Sequence, residues 1–102
     1  MIETDFVGLL QSSTSDTIQN ILGRSGKEAM VFLLGELDDL KDPAKLHSGL
    51  TKILGVHSTV LEKAIVKDLY RRLGLPYDPS KPFDFVVFVW SARSMAISSR
   101  SM

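Results

Sequence analysis

His47 and His57 are the only histidines of this chain, and so the only imidazoles that could serve a nucleophile as a base. Serine is its only plentiful nucleophile, at twelve positions. A catalytic serine needs a base within hydrogen-bond reach and a backbone that presents its hydroxyl. No Gly-x-Ser-x-Gly elbow occurs, and the runs at 12–15 and 98–101 fall in expected loops or chain ends. Gly23-Arg24-Ser25-Gly26-Lys27 resembles half of a phosphate-binding loop. Such a loop requires glycine where Ile21 stands, and a magnesium-binding hydroxyl where Glu28 would repel phosphate. A glycine-relaxed joint between helices is the better reading. The two histidines lie ten residues apart with no cysteine anywhere, and Glu36, Asp38, Asp39 and Asp42 lack the alternation and central glycine of a calcium loop. No catalytic residue, cofactor or metal is expected.

Two surfaces remain as candidates. Lys63, Lys67 and Arg71 are spaced by four, with Arg72 adjoining, opposite an apolar stripe through Leu61, Ile65 and Leu69. They form a candidate partner or nucleic-acid surface, able to meet phosphates or to stand solvated beside Glu62 and Asp68. The preceding Leu50–Ile65 stretch, with its Gly55-Val56-His57-Ser58 turn, is suggestive of a DNA-reading helix-turn-helix. Its Thr59-Val60 arrives one residue early, which rotates the following helix by about 100°. No aromatic, asparagine or glutamine is interleaved on the basic face for base readout. The second candidate is an assembly surface of Phe85, Phe88 and Trp90, within the apolar run 85–90.

The elements that must position these residues follow from pattern. The 102 residues suit one domain over 1–102, and at this length folding buries roughly 60–70% of the chain's surface. Twelve bases balance twelve acids, yet residues 1–42 carry eight acids and three bases (−5) and residues 43–102 nine bases and four acids (+5). Halves of opposite sign can attract within one fold or offer a basic face to an acidic partner. Absence of cysteine removes a disulfide framework. Glu3 and Asp5 stand where a signal peptide is positive, and no apolar run can span a bilayer, so a cytoplasmic domain without membrane contact is expected.

Met1–Leu10 suits a short amphipathic helix, and Ser12–Ser15 a polar break that caps the next. Ile18, Ile21 and Leu22, then Ala29, Met30, Leu33, Leu34 and Leu37, predict two helices over Asp16–Leu40 separated near Gly23–Gly26. Asp42-Pro43 reads as an N-cap with proline at the first helical position, and Gly55 as the closing residue. Ser58 opens the next helix and Gly74 ends it. Pro76, Pro79 and Pro82 make a short stiff connector. Residues 83–97 are β-branched and aromatic enough for a strand, but a lone strand needs a partner. A core helix capped by Ser80 is favoured, with a strand pairing across a dimer two-fold as the alternative; Ser98–Met102 should fray. The fold expected is all-α, with about five helices.

From Gly26 to Leu75, and above all in the string from Val60 to Leu75, the chain resembles a small archaeal helical domain family, the Nitrosopumilus-type output domains. The resemblance implies an all-α domain with an interaction role, found alone or attached to signalling-like proteins, and supplies no catalytic residue. The leading expectation is a non-enzymatic interaction or output module that binds a protein partner or a second copy of itself. The alternative is a small nucleic-acid-binding domain using the helix after Ser58.

Overall fold

A computed structural model describes residues 3–34 and 42–100. Four α-helices form among them: α1 (Glu3–Leu34), α2 (Pro43–Leu54), α3 (Ser58–Leu73) and α4 (Phe85–Arg100), with one turn of 3₁₀ helix at Gly55–His57. No strand occurs among the described residues. The fold is all-α, with fewer separate helices than about five, because Ser12–Ser15 does not break the first one.

The reason lies in those hydroxyls. Thr14 satisfies its own side chain by donating to the Leu10 carbonyl one turn back, at 2.8 Å. Ser13, Thr14 and Thr17 are all buried. Being small, they let α1 lie close against α3, its main neighbour. The interruption comes instead at Gly23, whose φ of 77° and ψ of 176° leave the helical region inside α1. The joint expected near Gly23–Gly26 falls at Gly23, where two helical segments of α1 meet across a kink. Leu37 and the acids Glu36, Asp38 and Asp39 lie outside the described residues.

The remaining boundaries follow local chemistry. Asp42 Oδ1 accepts from the Ala44 amide at 2.9 Å, and Pro43 opens α2 without wasting a donor. Gly55 has φ 60° and its amide bonds the Thr51 carbonyl, ending α2. Gly74 closes α3 in the left-handed conformation, φ 69° and ψ 27°. The C-terminal segment is helical, which disposes of the strand alternative, and helix continues to Arg100, three residues further than the expected fraying point. Its cap is Asp84, whose Oδ1 accepts from the Val87 amide at 3.2 Å. Ser80, the expected cap, bonds Asp78 instead.

α3 is the hub, in contact with α1, α2 and α4. Leu61, Ile65, Val66, Leu69 and Tyr70 are buried there against Phe6, Leu10 and Ile18 of α1, Leu46 and Leu50 of α2, and Phe85, Val89 and Ala92 of α4. Each large apolar side chain so enclosed contributes roughly 1.5–3 kcal/mol. With neighbours on several sides, α3 buries a band wider than the single expected stripe. That band takes in Glu62, Val66 and Tyr70.

Candidate interaction surface

The hub arrangement sorts the basic residues of α3 into different environments. Lys63 and Lys67 are exposed, and among the described residues neither meets a carboxylate. Lys63 Nζ stands 5.8 Å from the centre of the Phe83 ring and Lys67 Nζ 6.0 Å from that of Tyr77. The connector thus supplies the aromatics missing from the helix itself. Arg71 is exposed but ion-paired with Asp68.

Arg72 does not belong to the surface. Its guanidinium reaches Asp68 Oδ2 and Asp16 Oδ2, both at 2.7 Å, tying α3 to α1. The Ser13 hydroxyl donates to Asp68 Oδ2 at 2.7 Å, with the Ile65 carbonyl 3.2 Å away. Burial pushes the Asp68 carboxyl up, but bonds from Ser13, Arg71 and Arg72 outweigh it and hold the pKa below 3.8. This network joins the acidic N-terminal half to the basic C-terminal half inside one fold.

The expected assembly residues separate in the same way. Phe85 is core, so it cannot face a partner. Phe88 is half-buried in an aromatic cluster, 5.4 Å from Phe83, 5.6 Å from Tyr77 and 6.1 Å from Tyr70 between ring centres. The Tyr70 hydroxyl donates to the Phe88 carbonyl at 2.8 Å, fixing the cluster to α4. Only Trp90 faces outward, 45% exposed, with the Arg93 guanidinium 5.3 Å from its ring centre.

Trp90 has apolar company that pattern reading did not single out. Val87 is 57% exposed and Met95 38%. Spacings of three and five residues from Trp90 keep both on the outer half of α4. Val87 and Met95 also line a groove of about 440 Å³ with Phe88, Pro76, Pro82 and Lys81. That volume lies within the usual range of binding pockets.

A second polar centre joins α3 to α2. Glu62 is 2% exposed and, among the described residues, its carboxylate has one hydrogen-bond partner, His47 Nδ1 at 2.5 Å. The imidazole also stacks over Phe85, centre to centre 6.4 Å. Burial pushes the Glu62 carboxyl above 4.5, with Asp84 adding to the rise and His47 opposing it. One sequence signal for its burial was available: Glu62 shares the stripe of Val66, Leu69 and Leu73, three and four residues apart. The nearby hollow lined by His47, Ser48, Thr51 and Lys52 is open to solvent. His57 stands exposed in the 3₁₀ turn. Among the described residues no group of three or more His, Asp or Glu gathers as metal ligands, and no helix is long and apolar enough to cross a membrane.

No family model, curated protein or solved structure matches the chain.

Proposed function

We propose that this protein is a non-enzymatic interaction module whose contact face is the outer side of α4 with the groove beside it. The observation that carries this reading is the exposure of Val87, Trp90 and Met95 on one helix side, next to a preformed apolar groove. Aromatic and methionine side chains of this kind supply the anchors of protein interfaces. The occupant we favour is an amphipathic segment of a protein partner. Lys81 and Asp78 both line the groove, so its charged rim can meet either sign, while the outer face of α4 from Val87 to Met95 carries no carboxylate. An incoming segment would seat apolar side chains in the groove and place polar ones at this rim.

Trp90 is the chain's only tryptophan, so its emission reports directly on the face. Peptides selected from a random pool on the immobilised full chain should carry apolar anchors, and should shift Trp90 emission to shorter wavelength. Selected peptides that leave the emission untouched would place the contact elsewhere and contradict the reading. Light scattering on the same samples separates a peptide complex from a second copy seated on α4.

Nucleic-acid binding is the second reading, favoured by Lys63 and Lys67, which are exposed and, among the described residues, meet no carboxylate. With Arg72 turned inward and Arg71 held by Asp68, these two are the cations left to that face of α3 among the described residues. They predict a salt slope of only about −1.8 in log K against log salt on duplex DNA. Lys63→Glu with Lys67→Glu should abolish such binding, and unchanged affinity would sink this reading.

A further inference from the structure

The two histidines of the chain differ in what stands behind them. The His47 side chain is 47% exposed, yet its Nδ1 lies 2.5 Å from Oε2 of the buried Glu62. His57 is exposed in the 3₁₀ turn and, among the described residues, has no carboxylate within ion-pair reach. An ionised carboxylate only accepts, so the proton of the His47 bond lies on Nδ1 and the lone pair of the neutral ring on Nε2. The two ring nitrogens point in diverging directions. With Nδ1 turned to the interior, Nε2 is carried to the solvent side, and the buried Phe85 ring, stacked at 6.4 Å, supports the imidazole plane.

A fixed tautomer, a supported ring and an outward lone pair are the attributes of a positioned nucleophile. A carboxylate behind an imidazole also stabilises the imidazolium that forms as Nε2 attacks. Burial and the neighbouring Asp84 raise Glu62 above 4.5 against the opposing pull of His47, so it is a stronger base than an ordinary glutamate. The surroundings of the ring suit an anion. The hollow beside it is lined by His47, Ser48, Thr51 and Lys52, which bring two hydroxyls and an ammonium and no carboxylate. Ser48, Thr51 and Lys52 are all exposed on α2, where hydroxyl and ammonium donors can meet phosphoryl oxygens. None of these residues belongs to the groove beside α4.

We infer that His47 is a phosphoryl-acceptor site, its Nε2 taking the phosphoryl group of a donor that carries phosphorus on nitrogen, as phosphoramidate does. The Nε2 lone pair forms a bond to phosphorus while the P–N bond of the donor breaks. That electron pair leaves with the donor nitrogen, which is protonated in phosphoramidate and departs as ammonia. The product is a phosphorylated imidazolium whose Nδ1 proton stays in the bond to Glu62. One P–N bond replaces another, and nothing is oxidised or reduced. Glu62 is a positioning residue in this step, since it acts through the imidazole and does not touch the phosphoryl group. Lys52, Ser48 and Thr51 receive the charge brought to Nε2.

Phosphoramidate is the probe, and His57 is a control within the same chain. Trypsin cuts after Lys45, Lys52 and Lys63, so the two histidines fall in separate peptides. Mass spectrometry after digestion at neutral pH then scores the phosphoryl group at each. In the folded parent chain His47 should react at least about tenfold faster than His57, a small share of what a carboxylate behind an imidazole contributes in a catalytic triad. In urea strong enough to unfold the chain the two rates should converge. Glu62→Gln keeps an oxygen to accept the Nδ1 proton but loses the charge. In a variant whose circular dichroism shows it folded, it should bring His47 toward the His57 rate and leave His57 unchanged. Should that variant unfold, the comparison of folded and unfolded parent decides alone. Equal rates in the folded parent, or a faster His57, overturn the inference. So does a preference for His47 that persists in urea or is undiminished in folded Glu62→Gln.

Discussion

A buried carboxylate with one partner is the most exposed point of this fold's chemistry. Among the described residues the Glu62 carboxylate has His47 as its one hydrogen-bond partner, and removing an interior partner leaves the desolvation cost in place. His47→Ala should therefore lower unfolding free energy by about 1–3 kcal/mol, as read in urea titrations. The pH dependence follows from the direction of the Glu62 shift. Its folded pKa is raised above 4.5, so the folded state binds more protons than the unfolded. The stability it contributes is complete below pH 4.5 and is lost as pH rises through the folded value. Glu62→Gln should flatten that decline, measured as the denaturation midpoint across a pH series. Asp68 behaves oppositely. Its contribution is present above pH 3.8 and disappears as acid titrates it through a depressed value, and Asp68→Asn should remove this acid-side loss. Neither role is legible in the sequence. Residue type and spacing place Glu62 and Asp68 on a solvated face beside Lys63, Lys67 and Arg71, whereas position in the packed hub determines their burial.

At the scale of elements, punctuation proved more readable than interior composition. The Asp42-Pro43 start, the Gly55 stop and the Gly74 stop each follow from a single residue's backbone chemistry and need no tertiary context. Asp42→Ala should cost about 1 kcal/mol by losing the bonds to Ala44 and Lys45. Gly74→Ala should cost about 1–2 kcal/mol, since an L residue is strained at φ 69°. Thermal melts of the two variants check both figures. The Ser12–Ser15 tract misled for the converse reason. Hydroxyls serve equally as caps and as small packing groups, and only the presence of α3 beside them selects packing. The apolar 85–90 run was ambiguous on β propensity but resolved by the need of a strand for a partner. α4 buries Phe85, Val89, Ala92 and Ala96 at helical intervals, which a strand's alternation cannot reproduce.

For the whole molecule, the separation of charge between the two halves is partly spent inside the fold. The Asp16–Arg72–Asp68 linkage crosses from the acidic half to the basic one, and Arg71 adds to it. What stays outside around the connector is a mixed fringe of Lys63, Lys67 and Lys81 with Asp78 and Asp84, beside an apolar α4 face. That apolar face underlies the proposal of an amphipathic partner segment. The most direct measurement is the affinity of one selected peptide for the parent chain and for a variant with Val87→Asp and Met95→Asp, both outward-facing changes that should leave the helical circular dichroism intact. The account predicts at least about a tenfold loss in the variant, the effect of roughly 1.4 kcal/mol of lost contact. Equal affinity in a folded variant would contradict the assignment of the α4 face as the contact surface.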